Sequence, residues 1–524
     1  MSVVTYTFIV FLLCTIVLYY IVPKKIQWVI LLLASLVFYG YAGIEYLFLV
    51  IATAVVVYLF SLRLQKSLDE QEELAKDADR RTARKIKAAE KAKRKKFLVW
   101  ALVIVIGVLA VFKAFGFVLD NIKRFIPYDG LQSIPDWNLI APLGISFYSF
   151  MMISYLVDLY NGRISAQKNF FRYLSYVLYF PHVTQGPIAR YEEVGYQLWE
   201  EHSFNMDTIM RGVWLMLWGF VKKIVIADRI GAFTKEIFGH TFDYHGGIFL
   251  AVGIAYSIQI YCDFSGCMDI VRGTSECFGI VLGENFRRPY FSQTLPEFWR
   301  RWHITLGTWM KDYIFYPFSL SKSMAKFGKW SKKKFGNNVG KLLPVGLADI
   351  LVFFVVGVWH GAAWKYIMYG IYNGVIVAGS GMLAPVYAKI QEKLHINPKK
   401  WWYQGFCIIR TFILVNIGFY FDMANDLRAA NAMLVQTVTK AHISQLSMAA
   451  VKAVGLTSQD LLIVIAGCII IFVVSLLKEK GINIRETIAS YNIVIRWIIY
   501  IGFIMFILIY GSTSTTSDFI YANF

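Results

Sequence analysis

Charge is scarce in this 524-residue chain, where Asp, Glu, Lys and Arg together make up 17% against the quarter or so usual in soluble domains. Ala, Val, Ile, Leu, Met, Phe, Trp, Tyr and Cys account for 57%, and mean hydropathy is +0.52. That much apolar surface cannot be buried inside one 60 kDa globule, so the chain needs lipid as a second solvent, and neither a soluble enzyme nor a disordered scaffold fits. The six cysteines (Cys14, Cys262, Cys267, Cys277, Cys407 and Cys468) form no C-x-x-C pair, which excludes a disulfide framework and reads as small hydrophobes buried in apolar runs. No H-E-x-x-H and no Cys/His cluster with ligand spacing is present, so no metal site is expected, and glycine loops for phosphate are missing too. Acidic residues are also few, 34 against 53 Lys and Arg. The resulting +19 is concentrated in loops, which argues against a nucleic-acid footprint.

What the chain does have is uncharged stretches long enough to cross about 30 Å of hydrocarbon. Ser2 to Pro23, Ile26 to Ile44, Tyr46 to Leu62, Phe97 to Leu119, Asn138 to Val157, Tyr244 to Cys262, Tyr366 to Ala388, Leu461 to Leu477 and Trp497 to Ser517 qualify. Tyr173 to Ala189, Gly212 to Ala227, Ile350 to Trp364 and Thr411 to Phe421 are shorter or interrupted. The first stretch lacks a basic n-region and a small-residue cleavage site, so it reads as a retained helix. The segments divide into N-terminal spans (1–62), a charged loop (63–96), a core (97–400) and C-terminal spans (401–524). The charged loop, Arg63 to Lys96, holds thirteen Lys or Arg and seven Asp or Glu and reads as a solvated helical connection. Lys24 and Lys25, that loop, and Arg163, Lys168 and Arg172 fall on one side if the N-terminus starts outside, and positive short loops stay cytoplasmic.

Ionisable groups enter apolar context between Asp263 and Gly374, where a bilayer penalises them unless paired or wet. In YCDFSGCMDIVRGTSECFGIVLGENFRRPY (Tyr261 to Tyr290), Asp269, Arg272 and Glu276 share one helical face and can neutralise one another. Asp263 has no obvious local partner. PEFWRRWHITLGTWMKDYIFYPF (Pro296 to Phe318) reads as one amphipathic interfacial helix, with Trp299, Trp302, His303, Leu306, Trp309, Met310 and Tyr313 on its apolar side. His303 is there either a satisfied core histidine or the lining of a substrate tunnel. In ILVFFVVGVWHGAAWKYIMYGIYNG (Ile350 to Gly374), His360 follows a run of apolar residues and glycine between Trp359 and Gly361. It reads either as a helix-packing hydrogen-bond partner or as a buried base, since an imidazole is the natural acceptor of a hydroxyl proton near neutral pH.

These elements, together with GISFYSFMMISYLVDLY (Gly144 to Tyr160), FPHVTQGPIARYEEV (Phe180 to Val194), DFSGCMDI, ENFRRPY, FWRRWHITLGTWMKDYIF and VWHGAAWKYIMYGIYNG, resemble in order the membrane-bound O-acyltransferase family. Within it they resemble the bacterial branch that O-acetylates alginate and D-alanylates lipoteichoic acid. The resemblance implies an all-α polytopic membrane protein of about eleven transmembrane helices plus re-entrant or interfacial ones, in a ring around a thin central tunnel. It implies that His360 is catalytic and that His303 lines the same site, with Asp312, Trp359, Asn285, Arg287 and Asp263 as possible supports. It further implies no permanently bound cofactor. The donor would be an acyl thioester, acetyl-CoA or the phosphopantetheine of an acyl-carrier protein, reaching the site from the cytoplasm. The acceptor would be a hydroxyl of an extracellular polysaccharide or teichoic acid, or of an extracytoplasmic SGNH-type partner, with membrane lipid around and nucleic acid uninvolved.

Two segments depart from the family pattern. The charged insertion Arg63 to Lys96 lies outside the resemblance. SLSKSMAKFGKWSKKKFGNNVGK (Ser319 to Lys341) replaces an expected glycine-rich turn with seven lysines and no carboxylate; it could hold anionic lipid or an acidic carrier protein, or be a plain cytoplasmic loop. A lipid-linked sugar transporter is the rival from another class, but inverted-repeat transporters show interrupted helices in both halves, and here no internal repeat is seen. A non-catalytic scaffold would tolerate loss of both His303 and His360.

Overall fold

The computed structural model describes residues 1–126, 129–135, 137, 139–440 and 456–511. Among them the chain is all-helical, its one β-contact being an isolated antiparallel bridge between Phe286 and Trp302. Eight helices are long and apolar enough to cross a membrane: Ile44–Lys76, Arg80–Lys113, Ile248–Glu276, Val339–His360, Trp364–Lys393, Trp401–Met423, Ser458–Glu479 and Ile493–Tyr510. Tyr6–Ile21 and Ile145–Tyr160 are shorter apolar helices. This is a polytopic membrane protein. The remaining apolar runs are punctuated. Tyr173 to Ala189 is helical only to Leu178, because Pro181 disfavours helical geometry in the residue before it and supplies no N–H. Residues 512–517 of the last predicted span lie outside the described residues.

Close packing divides the chain into two units, Met1–Val213 with Val271–Gly283, and Trp214–Ile270 with Glu284–Phe524. In the first, the charged loop proves to be the ends of two long helices. They turn at Asp79, whose carboxylate accepts the N–H of Arg81 at 2.9 Å and of Thr82 at 3.3 Å. Facing residues pair across this hairpin: Lys93 with Glu70 at 2.6 Å and Arg94 with Gln71 at 2.9 Å. A buried aromatic cluster of Tyr155, Tyr173, Tyr176 and Tyr191 sits in the same unit. Beside it, fully buried His182 places Nε2 3.0 Å from the Tyr176 carbonyl.

The second unit contains a π-helical turn, Val221–Ala227, that presents two buried lysines. Lys223 Nζ lies 2.5 Å from Asp263 and 2.7 Å from Asp228; Lys222 Nζ lies 2.7 Å from Asp269 and 2.9 Å from Ser265 Oγ. One expectation is corrected here. Asp263 is the partner of a buried ammonium rather than a solitary carboxylate available for chemistry. Asp269 is paired with Lys222, and in the first unit Arg272 Nε donates to the Leu282 carbonyl at 3.4 Å.

The segment Lys322–His360 breaks at Gly336, where φ of +75° reverses the chain. Its second part, Val339–His360, packs on Trp364–Lys393 as a tight hairpin. A Cβ on Gly357 would stand 2.4 Å from the Tyr366 carbonyl oxygen, and one on Gly370 would stand 2.3 Å from that of Phe353. Glycine at both positions lets the two backbones touch, the small-residue packing that holds helices together in lipid.

Candidate functional site

His360 is the last residue of its helix, which stops because Gly361 is extended (φ 170°, ψ 155°) and leads into the short turn before Trp364. The imidazole is 3% exposed. Its ring is walled by Trp359, Tyr366 and Tyr369, with centroids at 5.0, 6.0 and 5.2 Å. Its Nδ1 lies 3.5 Å from Oδ1 of Asp422. Asp422 comes from the last turn of Trp401–Met423, is 2% exposed, and accepts the Tyr256 hydroxyl on Oδ2 at 2.8 Å. Lys365 Nζ donates to the carbonyls of Asp422 at 3.2 Å and Ala424 at 2.7 Å, closing the end of that helix. Tyr256 and Phe419 meet edge to face at 5.7 Å, so packing fixes the phenol as well as the hydrogen bond.

Sequence reasoning missed Asp422 and Tyr256. The signal for Asp422 was there: a single carboxylate closing the apolar run Thr411 to Phe421, the same kind of misplaced charge that drew attention to Asp263. It lies 62 positions beyond His360, in the C-terminal segment rather than the 97–400 core, where no local spacing links the two.

His303 is reached by a different local device. The expected single amphipathic helix is two short ones, Leu295–Arg301 and Ile304–Met310, followed by a π-helical turn, Lys311–Phe315. Between the short helices Trp302 is extended and His303 is left-handed, with φ 46° and ψ 55°, an unusual conformation for a residue other than Gly, Asn or Asp. What holds it there is pairing with the ENFRRPY strand-like segment: Arg287 N–H donates to the Arg301 carbonyl at 2.9 Å and Ile304 N–H to the Asn285 carbonyl at 3.0 Å. The helical period was read correctly on each side of this clamp, but cross-chain hydrogen bonds override it at the histidine.

The same clamp orients the ring. Asn285, 1% exposed, accepts on Oδ1 from the Thr305 N–H at 2.9 Å and the Thr305 hydroxyl at 2.7 Å, and His303 Nδ1 stands 3.3 Å from the same oxygen. A backbone N–H can only donate, so this atom of Asn285 is the carbonyl oxygen and Nδ1 of His303 carries the proton that faces it. In the neutral imidazole Nε2 then holds the lone pair. Burial pushes the His303 imidazole down to about 3 from its ordinary value, holding it neutral. Phe264 packs edge-on at 4.8 Å and Trp359 at 5.9 Å.

Trp359 therefore touches both rings, and the structure brings His360, Trp359, His303 and Asn285 together. It does not bring in Arg287, whose side chain is 58% exposed and paired with Glu284 at 3.1 Å, because a solvated carboxylate three residues away is the nearer partner. Asp263 is held by Lys223. Asp312 lies half-buried in the π-helical turn beyond the second short helix. Of the cysteines, Cys262, Cys267, Cys277 and Cys407 are buried as expected; Cys468 is half-buried, and Cys14 is exposed on the short apolar helix Tyr6–Ile21.

The arrangement supplies a base with a carboxylate behind it, a second neutral imidazole and an aromatic wall between them. The comparisons with known proteins point the same way. Residues 134–331 match the model of the MBOAT, membrane-bound O-acyltransferase family, a span that includes His303 and stops before His360. The chain is 32% identical over 413 residues to the probable alginate O-acetylase AlgI of Pseudomonas aeruginosa, covering 79% of this chain and 70% of that protein. It is 28% identical to the peptidoglycan O-acetyltransferase of Helicobacter pylori (77% and 72% covered). Against the teichoic acid D-alanyltransferase of Bacillus subtilis it is 29% identical, with 55% and 69% covered.

Proposed function

The chain belongs to the membrane-bound O-acyltransferase family, and from that premise we propose that it moves an acetyl group from a cytoplasmic thioester to a hydroxyl of an extracytoplasmic polysaccharide, directly or through an SGNH-type partner. The donor is acetyl-CoA or an acylated phosphopantetheine, used as substrate, and no resident cofactor takes part. The observation that carries the reading is the buried His360 with Asp422 behind Nδ1 and Trp359 and His303 beside it. Acetyl is favoured over D-alanyl because the acetylating relatives match over 77% to 79% of this chain and the D-alanylating one over 55%.

In the proposed reaction Nε2 of His360 accepts the hydroxyl proton as the oxygen attacks the thioester carbonyl. The C–O bond forms, the C–S bond breaks, and the imidazolium returns its proton to the departing thiolate. General-base help of this kind is worth roughly 10²- to 10⁴-fold. The Asp422 carboxylate orients the ring and balances the imidazolium, as does the carbonyl end of the helix that His360 closes. His303, neutral and with Nε2 as acceptor, orients the incoming hydroxyl. No acyl-cysteine intermediate forms. The enzyme sits in the cell membrane with its N-terminus outside and the Arg63 to Lys96 hairpin in the cytoplasm.

The test offers labelled acetyl and labelled D-alanyl donors to membranes carrying the wild-type or the His360→Ala protein. Histidine-dependent transfer of acetyl is expected. Transfer of D-alanyl alone would move the chain to the teichoic acid reading, and label carried across unattached to any acceptor would favour a transporter.

A further inference from the structure

The lysine-rich segment between Ser319 and Lys341 is absorbed neither by the site nor by the reaction. From the Ser321 cap a helix runs to Gly336, reverses there, and continues as the spanning helix Val339–His360. The reversal is pinned. A Cβ on Gly340 would lie 2.5 Å from Lys332 Cα, and the Ser331 hydroxyl donates to the Gly340 carbonyl. All seven lysines are exposed, and among the described residues none has a carboxylate partner. The other basic hairpin differs, since its Lys66 and Lys93 take Glu70. Interleaved with the lysines are exposed apolar groups, Leu320 at 79%, Trp330 at 49% and Phe335 at 46%. Lys334 Nζ lies 5.2 Å from the Trp330 ring centre and 5.6 Å from that of Phe335.

Seven like charges on so short an element repel one another unless anions come between them, and the rings beside them lose apolar contact if they stay in water. Continuity with a spanning helix puts the element where a membrane begins. The environment that meets all three conditions is a layer of anionic headgroups, with phosphate for the ammonium groups and the upper acyl region for the rings. We propose that the Lys322 to Lys341 hairpin is a docking surface for anionic phospholipid. An acidic carrier protein would satisfy the lysines but supplies no reason for Trp330 and Phe335 to stand exposed among them.

Bromine-labelled phosphatidylglycerol and bromine-labelled phosphatidylcholine test this by quenching tryptophan in full-length protein reconstituted in vesicles. The share of emission belonging to Trp330 is the difference between the wild type and Trp330→Phe. That share should be quenched by the anionic lipid roughly tenfold more efficiently than by the neutral one at low salt, falling towards equality near 1 M salt. It should lose most of that preference in the quadruple variant Lys326→Gln, Lys329→Gln, Lys333→Gln, Lys334→Gln. Equal quenching by both lipids in the wild type overturns the proposal without needing the variant to fold. So does shielding of Trp330 by an added acyl-carrier protein in neutral vesicles with no phosphatidylglycerol preference, which would assign the lysines to a protein. Neither outcome bears on whether His360 is the base.

Discussion

His303 and His360 are equally buried, 3% exposed each, and share the Trp359 wall, yet one faces an amide and the other a carboxylate. The amide of Asn285 can only fix a tautomer. The carboxylate of Asp422 fixes orientation and also stabilises the positive charge that appears when a proton is taken up. In the proposed reaction the two imidazoles of this aromatic pocket do different work: His360 exchanges protons, and His303 stays neutral and holds a substrate group in place. His182, buried in the first unit with one ring nitrogen against a backbone carbonyl, shows the third outcome, a histidine with neither an amide nor a carboxylate facing it.

The sharpest way to break the comparison is to remove each ring. His360→Ala should lower labelled transfer by about 10²- to 10⁴-fold with membrane insertion unchanged, whereas His303→Ala should lower it by about tenfold. Equal losses would mean that the two rings act as one unit and that the division of roles is wrong.

Changing the partners instead of the rings sharpens it. Asp422→Asn keeps the shape and removes the charge, and is expected to cost about 10²-fold in kcat with KM little changed, since the carboxylate matters most when His360 is protonated. Tyr256→Phe removes one hydrogen bond to that carboxylate and should cost no more than about tenfold. Asn285→Ala should act through KM as well as kcat, because it frees the ring that in the proposed reaction orients the acceptor. A loss confined to kcat for Asn285→Ala would put His303 on the proton path.

Much of the fold was legible because the bilayer imposes one long apolar run per span, and nearly all the expected runs reappear as helices. Three things were not. Asp422 is tied to His360 by tertiary packing across 62 positions, which leaves no trace in local spacing. The helix break at His303 comes from hydrogen bonds to ENFRRPY, a segment that shows no strand pattern of its own. Lys222 and Lys223 interrupt the apolar run Gly212 to Ala227, and nothing in that run shows that its π-helical turn aims them at Asp269 and Asp263. Periodicity predicts the element; it does not predict which neighbour overrules it. The residue types needed for chemistry were visible, and their partners were not.

The packing that carries His360 separates two classes of glycine. Gly357→Ala should destabilise by about 1–3 kcal/mol, because its methyl meets the Tyr366 carbonyl oxygen at 2.4 Å, backbone that cannot swing aside. Gly379→Ala, on the same hairpin with open space around it, should be neutral or stabilising by up to about 1 kcal/mol. Thermal unfolding in one detergent compares them. If both variants melt alike, the tight crossing does not hold the hairpin.

The smallest effect is a pH dependence peculiar to His303. Its folded value is depressed to about 3 against about 6.5 in an unfolded chain, so the unfolded state binds the extra proton first. Stability from the neutral ring is complete above pH 6.5 and is lost as pH falls towards 3. Between pH 7 and 5 the loss amounts to about 2 kcal/mol at most. His303→Gln, which cannot titrate, should flatten that part of the curve by a corresponding amount relative to the wild type, while the remaining slope reports other groups such as His182, which burial also depresses, to about 4. An unchanged slope in His303→Gln would mean that water or a counter-charge reaches the ring in the membrane. His303 would then be free to exchange protons, and the contrast with His360 would collapse.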